Sequence, residues 1–303
     1  MRAYVGVTDN RWFNFLARQK FDEVNFWRPG GRGSFRVLEP GELFLFKLHS
    51  PLNYIVGGGW FVRFSHLPTF LAWEAFGQKN GTETFVEFEQ RITRYRGASL
   101  DAQAQIGCII LASPFFFSQD EWIPVPEDWK PNIVQGKTYD DSTSEGRTLL
   151  DQVLRQISKG SYAEEVGETA PYERGRVGIL RPGQGAFRIM VTDAYNRRCA
   201  ISGERTLPVL DAAHIIPFSE RGSNSVTNGL LLRKDIHTLY DTGYITVTDD
   251  YHVEVSRNLE GDYGNGRIYY AYHGLLLPNI PHKTAERPDI EALRWHNEQV
   301  YRG

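Results

Sequence analysis

The sequence predicts an α+β protein of two domains, and three observations lead there. Residues 1–136 hold strand-like runs rich in aromatic and branched side chains, interspersed with two helical patterns. Residues 137–172 are polar and charged. Residues 173–303 form a second block around a strand–strand–helix pattern at 207–241. With 303 residues, 41% of them hydrophobic, the chain is long enough for two ordinary domains and too apolar to be disordered.

In the first block, residues 41–48 (GELFLFKL), 54–56, 60–64 and 106–112 read as strands, and 67–77 and 84–95 as helices. Gly57, Gly58 and Gly59 interrupt the strands, where glycine permits a bulge or the close approach of another backbone. No phosphate-loop lysine or GxGxxG accompanies them, so they predict no nucleotide loop. Residues 148–157 space Leu149, Leu150, Val153, Leu154 and Ile157 as a helix does, and residues 158–178 read as a linker. The second block opens with a helix over 186–195 that packs Phe187, Met190, Val191 and Ala194. Residues 207–213 suit a strand, ended by Ile215, Ile216 and Pro217. Residues 219–227 read as a loop, and Asn228-Gly229 as a turn. Leu230, Leu231 and Leu232 form a short buried run. A helix starts at 235–239 with Asp235 as its N-cap. Residues 244–247 and 252–255 suit a hairpin around Asp249-Asp250. Residues 267–272 and a helix over 290–301 close the domain, with Trp295 and His296 as packing residues.

The net charge of -3 gives no bulk attraction to nucleic acid, so positive charge must be local. The candidates for phosphate contact are Arg188, Arg197 and Arg198, with Arg174, Arg176, Arg181, Arg233 and Lys234 as further basic positions. No apolar stretch approaches a membrane span. The start, MRAYVGVTDNRWFNFL, lacks the apolar core and cleavage site of a signal peptide, so the expected location is cytoplasmic. The two cysteines, Cys108 and Cys199, fall in different domains, and a disulfide between them is not expected. One cysteine cannot build a four-ligand zinc site, so no structural zinc is expected either.

Chemistry is concentrated in residues 210–241, LDAAHIIPFSERGSNSVTNGLLLRKDIHTLYD. Asn228 follows His214 by 14 residues and precedes His237 by 9. Residues 181–256 resemble the HNH endonuclease branch of restriction-enzyme type. The resemblance rests on RPGQGAFR, YNRRCAISG, DAAHIIPFSE and NGLLLRKDIHTLYDTGYITVTDD. It implies a ββα-metal (HNH) nuclease domain, with His214 as general base, Asn228 as the site asparagine and His237 as a metal ligand. A histidine at a strand end can take a proton from water near neutral pH. A bound divalent cation, Mg or Mn, would stabilise the charge on the leaving oxygen. One position departs from the pattern. Many HNH nucleases carry an aspartate or a second histidine directly before the base, and here that residue is Ala213. Asp211 is the nearest carboxylate, on the same strand face as Ala213, and is the candidate second ligand.

Residues 3–125 resemble, more loosely, the PUA-like superfamily of SRA, EVE and YTH base-reading modules. The likeness rests on LEPGELFLFKLHSPLNYIVGGGWFVRF, a proline-glycine, then an apolar strand, then a glycine-rich strand. It implies a PUA-like β-barrel-containing domain that reads duplex DNA carrying modified bases. Such a reader extrudes the base and holds it between aromatic faces. Trp27, in a loop context before Arg28-Pro29-Gly30-Gly31, and Trp60, beside three glycines, are the candidates for that pocket. The combined expectation is a metal-dependent DNA endonuclease of restriction or defence type. Its rivals are a nucleic-acid-binding protein with a decayed nuclease, and a nuclease whose first domain senses a signal other than DNA. Cutting both strands calls for two sites, which a homodimer would provide, though no seam for one is visible.

Overall fold

The structure, a computed structural model, describes residues 1–31, 33–99, 104–159, 172–173, 176–177 and 181–303. Most of the expected linker, including Arg174 and the side chain of Arg176, lies outside the described residues. The chain divides into two compact units, Met1–Gly183 and Gln184–Gly303.

The first unit is built on one mixed sheet. Its elements are β1 (Arg2–Thr8), α1 (Asn10–Leu16), β2 (Glu23–Arg28), β3 (Leu43–Leu48), β4 (Tyr54–Pro68), α2 (Thr69–Phe76), α3 (Phe85–Arg96), β5 (Gln105–Phe116), β6 (Ile123–Pro124), β7 (Gly136–Asp140) and α4 (Ser144–Lys159). The strand order is β2-β5-β4-β3-β1-β7, with β6 on β4. The β1–β3 pair is parallel and the others are antiparallel. Among the described residues the sheet is open, with β2 and β7 at its ends, and the α+β class expected from sequence holds. Both its faces are buried, and period-two alternation sorts side chains between them. Phe44 and Phe46 of β3 join Tyr4, Trp12, Phe13 and Leu16 on one face. Leu43 and Leu45 join Ala3, Val5 and the α4 residues Leu149, Leu150 and Val153 on the other.

Two expectations change here. The glycines do not break the strand, because β4 runs on through them with a register shift between Gly58 and Trp60. A Cβ at Gly57 would collide with the Phe115 carbonyl oxygen, so glycine admits the neighbouring backbone. Trp27 lies on β2, not in a loop, and the irregular chain begins only at Pro29. A short ladder pairs β8 (Tyr172–Glu173) with β9 (Arg176–Val177).

The second unit contains α5 (Gln184–Ala194), β10 (Leu210–His214), β11 (Gly229–Arg233), α6 (Lys234–Asp241), β12 (Ile245–Val247), β13 (Val253–Val255), α7 (Asn258–Tyr263) and α8 (Ile290–Gln299). β10 and β11 are antiparallel, placing Asp211 opposite Leu232, Ala213 opposite Leu230 and His214 opposite Gly229. β12 and β13 form a second hairpin. Residues Arg267–Tyr272 are a 3-10 helix. Phe187 and Val191 of α5 meet Leu230, Leu231 and Leu232 of β11 and Ile236 and Tyr240 of α6 in one core. Asn228-Gly229 is not a turn, because Asn228 ends a 3-10 segment and Gly229 has φ -135°, already extended at the start of β11. Asp235 is not the N-cap of α6 either. Arg233 holds that position and grips the Asp235 carboxylate with two hydrogen bonds, 2.7 and 2.6 Å. Among the described residues, no helix is long and apolar enough to cross a membrane.

Candidate active site

His214 is the last residue of β10 and half-buried. Its ring stacks on Phe187 of α5, with centroids 3.9 Å apart and planes 11° from parallel. Its Nε2 lies 2.9 Å from the Asn224 side-chain oxygen. An amide oxygen only accepts, so Nε2 carries the proton and Nδ1 the lone pair. Gly229, opposite His214 on β11, makes this packing possible. A Cβ there would strike Val191 and come within 3.0 Å of the Phe187 ring.

Asn228 is buried, and its amide ties down the loop that follows β10. The side-chain oxygen accepts from Ile216 N at 2.9 Å, and Nδ2 donates to the carbonyls of Ile216 at 2.9 Å and Ser223 at 3.0 Å. These bonds go to backbone, and the bond to the imidazole is made by Asn224. Asn228 acts one step back, by holding the loop that carries Asn224.

His237 lies in the first turn of α6. Its Nδ1 is 3.5 Å from an Asp211 carboxylate oxygen and its Nε2 is 3.3 Å from Asp241. Burial would lower its pKa, but the Asp211 and Asp241 carboxylates outweigh that and push it up to about 9. Burial likewise works against the Asp211 charge, and the bond to His237 and the Arg188 guanidinium hold its pKa below the usual carboxylate value. Arg188 Nε lies 3.8 Å from Asp211. The residue expected to face phosphate thus stands beside the carboxylate of the site. Ala213 is fully buried in the core, and the side chain that meets His237 belongs to Asp211, two residues earlier on the same strand face.

Arg197 and Arg198 are half-buried in the turn after α5, where Arg197 adopts a left-handed φ of 58°. That turn leads to Cys199, whose buried sulfur accepts from the backbone N–H groups of Ser202 and Arg233, each at 3.3 Å. His296 is a packing residue. It stacks on Tyr240 with centroids 3.7 Å apart, meets the Thr246 hydroxyl through Nδ1, and donates from Nε2 to the Tyr240 carbonyl. Sequence reasoning missed Asn224, Asp241 and the contact between Phe187 and His214. Only Asp241 carried a signal, since it stands four residues after His237 on one helix.

In the first unit, Trp60 is 5% exposed within the core, so it presents no face to a ligand and drops out as a pocket residue. Trp27 is half-buried and donates from Nε1 to the Asn80 carbonyl at 2.9 Å. It lines a cavity of about 590 Å³ together with Trp12, Phe26, Asp9, Arg28 and Tyr95. Asp9 caps α1 through Trp12 N at 2.8 Å and accepts a hydrogen bond from the Tyr95 hydroxyl. Burial opposes the Asp9 charge, yet these bonds hold its pKa below the usual value.

Residues 199–248 match the HNH endonuclease family, and the chain carries a nuclease domain of that type. Among solved structures, ASCH from Zymomonas mobilis is similar over 49% of this chain and 94% of its own, at 11% identity and a TM-score of 0.33. The modification dependent TagI restriction endonuclease is similar over 97% of this chain and 81% of its own, at 13% identity and a TM-score of 0.30. No curated protein matches the chain.

Proposed function

We propose that the chain is a metal-dependent DNA endonuclease of restriction or defence type, with target choice made by its first unit. One observation carries the reading. A histidine with Nδ1 left as its proton acceptor shares a short strand with an aspartate that meets a second histidine. His214 Nδ1 takes a proton from the attacking water, the water oxygen forms a bond to phosphorus in line, and the opposite phosphorus–oxygen bond breaks to release the sugar oxygen as the leaving group. Phe187 fixes the plane of the imidazole, and Asn224 fixes which nitrogen is free. Asn228 keeps Asn224 in place through the loop.

The donor set near His214 suits a divalent cation such as Mg or Mn. Asp211 and His237 offer an oxygen and a nitrogen side by side. Among the described residues, no group of three or more His, Cys, Asp or Glu side chains is arranged to hold an ion. Asp211 and His237 would be the residues that hold the cation. When bound, the cation supplies positive charge at the leaving oxygen. Asp241 orients the His237 ring from its other side, and Arg188 steadies Asp211. Arg197 and Arg198 are proposed to contact the DNA backbone. Two copies of the site, as in a homodimer, would cut both strands.

In the first unit, the Trp27 cavity is proposed to accept an extruded, modified base. The deciding experiment digests matched plasmids, unmodified or carrying different modified cytosines, with and without Mn²⁺. Metal-dependent cutting that favours one modified plasmid is the expected result. Absence of cutting with every plasmid and metal would reject the nuclease assignment, and equal cutting of all would reject the reader.

A further inference from the structure

A second, smaller recess of about 150 Å³ shares Asp9 and Tyr95 with the Trp27 cavity. Its other lining residues are Arg11, Arg91 and Arg94. Arg11 comes from α1, while Arg91 and Arg94 come from α3, so the fold brings together guanidinium groups that lie far apart in sequence. Arg91 is anchored, bonded to Glu87 at 2.6 Å and to the Gly81 carbonyl at 3.1 Å. Arg11 and Arg94 are exposed. Three guanidinium groups thus line the recess with the Asp9 carboxylate; Arg91 is already paired with Glu87, Arg11 and Arg94 are the exposed pair, and Asp9 is already bonded to the Trp12 N–H and the Tyr95 hydroxyl.

We infer that Arg11, Arg91 and Arg94 form a phosphate seat beside the Trp27 cavity. The first unit then takes a nucleotide still joined to its DNA strand, not a free base. This rests on the base-reading proposed above and adds the backbone half of that recognition. The chemistry divides cleanly. The large cavity offers aromatic surface for a base and the Asp9 oxygens as acceptors for its N–H groups. The recess offers guanidinium forks that match phosphate oxygens. Asp9 and Tyr95 form the wall shared by the two, so a base and its own phosphate can be held at once. The overall charge of -3 makes such a local seat necessary for backbone binding.

The test uses the full chain in EDTA, so that nothing is cut, and a fluorescent duplex carrying one modified base. Binding is measured between 50 and 200 mM salt for wild type, Trp27→Ala and the double variant Arg11→Gln/Arg94→Gln. The double variant should bind every duplex more weakly and flatten the slope of log affinity against log salt by about 1 per lost phosphate contact. Its preference for the modified base should remain, because phosphate contacts position and base contacts specify. Methylphosphonates flanking the modified nucleotide should weaken wild type and leave the double variant little changed. A double variant that melts like wild type and keeps its slope overturns the seat. The two readings fail separately. If Trp27→Ala changes nothing while the arginine pair flattens the slope, the base pocket falls and the seat stands. If wild type binds no duplex, both fall.

Discussion

Replacing Asn228 tests whether one buried amide holds the loop that follows β10 and carries Asn224. Asn228→Ala removes three hydrogen bonds of 2.9, 2.9 and 3.0 Å and orphans one N–H and two carbonyls. At about 1 kcal/mol for each bond, the loss is about 3 kcal/mol. That is a large share of the 5–15 kcal/mol of a typical domain, and it should lower Tm by roughly 10 °C. Asn228→Asp is the sharper perturbation, because its shape is nearly unchanged. It keeps the acceptor for Ile216 N but turns an oxygen toward the carbonyls of Ile216 and Ser223. At neutral pH it should be at least as destabilising as alanine, and it should recover in part in acid, where a protonated carboxyl can donate. Calorimetric melting of the full chain measures the stability. Plasmid nicking well below Tm measures the site, and should fall further than the unfolded fraction accounts for, because Asn224 moves with the loop. If Asn228→Asp melts and nicks as wild type does, the loop does not depend on this amide and the positioning argument is refuted.

His214→Ala should slow cleavage about 10²–10⁴-fold while DNA binding and melting persist, and wild-type rates under saturating Mn²⁺ would remove His214 as the base. Calorimetric titration of Mn²⁺ should show a sharp loss of affinity in His237→Ala and a smaller one in Asp211→Asn, and an unchanged His237→Ala isotherm would contradict the ligand role. Gly229→Ala should force Phe187 and Val191 apart, costing about 1–3 kcal/mol and nicking activity together. Retention of both would show that the ring has room to move. Burial lowers the pKa of His296 from 6.5 to about 4. The unfolded chain therefore binds the extra proton between those values, and stability is lost as pH falls from 6.5 toward 4, by at most about 3 kcal/mol. Urea unfolding at pH 7, 5 and 4 checks this, because His296→Gln should lose that part of the acid sensitivity, and identical pH slopes would disprove the assignment.

The order His214, Asn228, His237 was legible because two imidazoles and a carboxamide are distinctive residue types, at a spacing set by a short hairpin and a helix start. The strand–strand–helix followed from Leu230–Leu231–Leu232 and the polar loop before it. Asn224 was not legible, because one polar residue in a loop of Ser, Asn and Gly looks like any other until the loop is folded. Trp60 misled for a different reason. Both faces of β4 are buried, so its place in the strand could not tell a core ring from a pocket ring. The helical spacing of Leu149, Leu150 and Val153 was plain, but the sheet face they pack on depends on contacts with β1 and β3, far away in sequence.

Phe187 and Arg188 are consecutive residues of α5, and each supports a different part of the site. Phe187 backs His214, the proposed proton acceptor, and Arg188 backs Asp211. His214 and Asp211 are themselves three residues apart on β10. The proposed base and the proposed ligand carboxylate are thus mounted on one short strand and braced by two adjacent points of one helix. A shift of α5 would move both braces together, because they are neighbours on one helix. Precision between the two groups then depends on the stiffness of a few residues rather than on the rigidity of the whole unit.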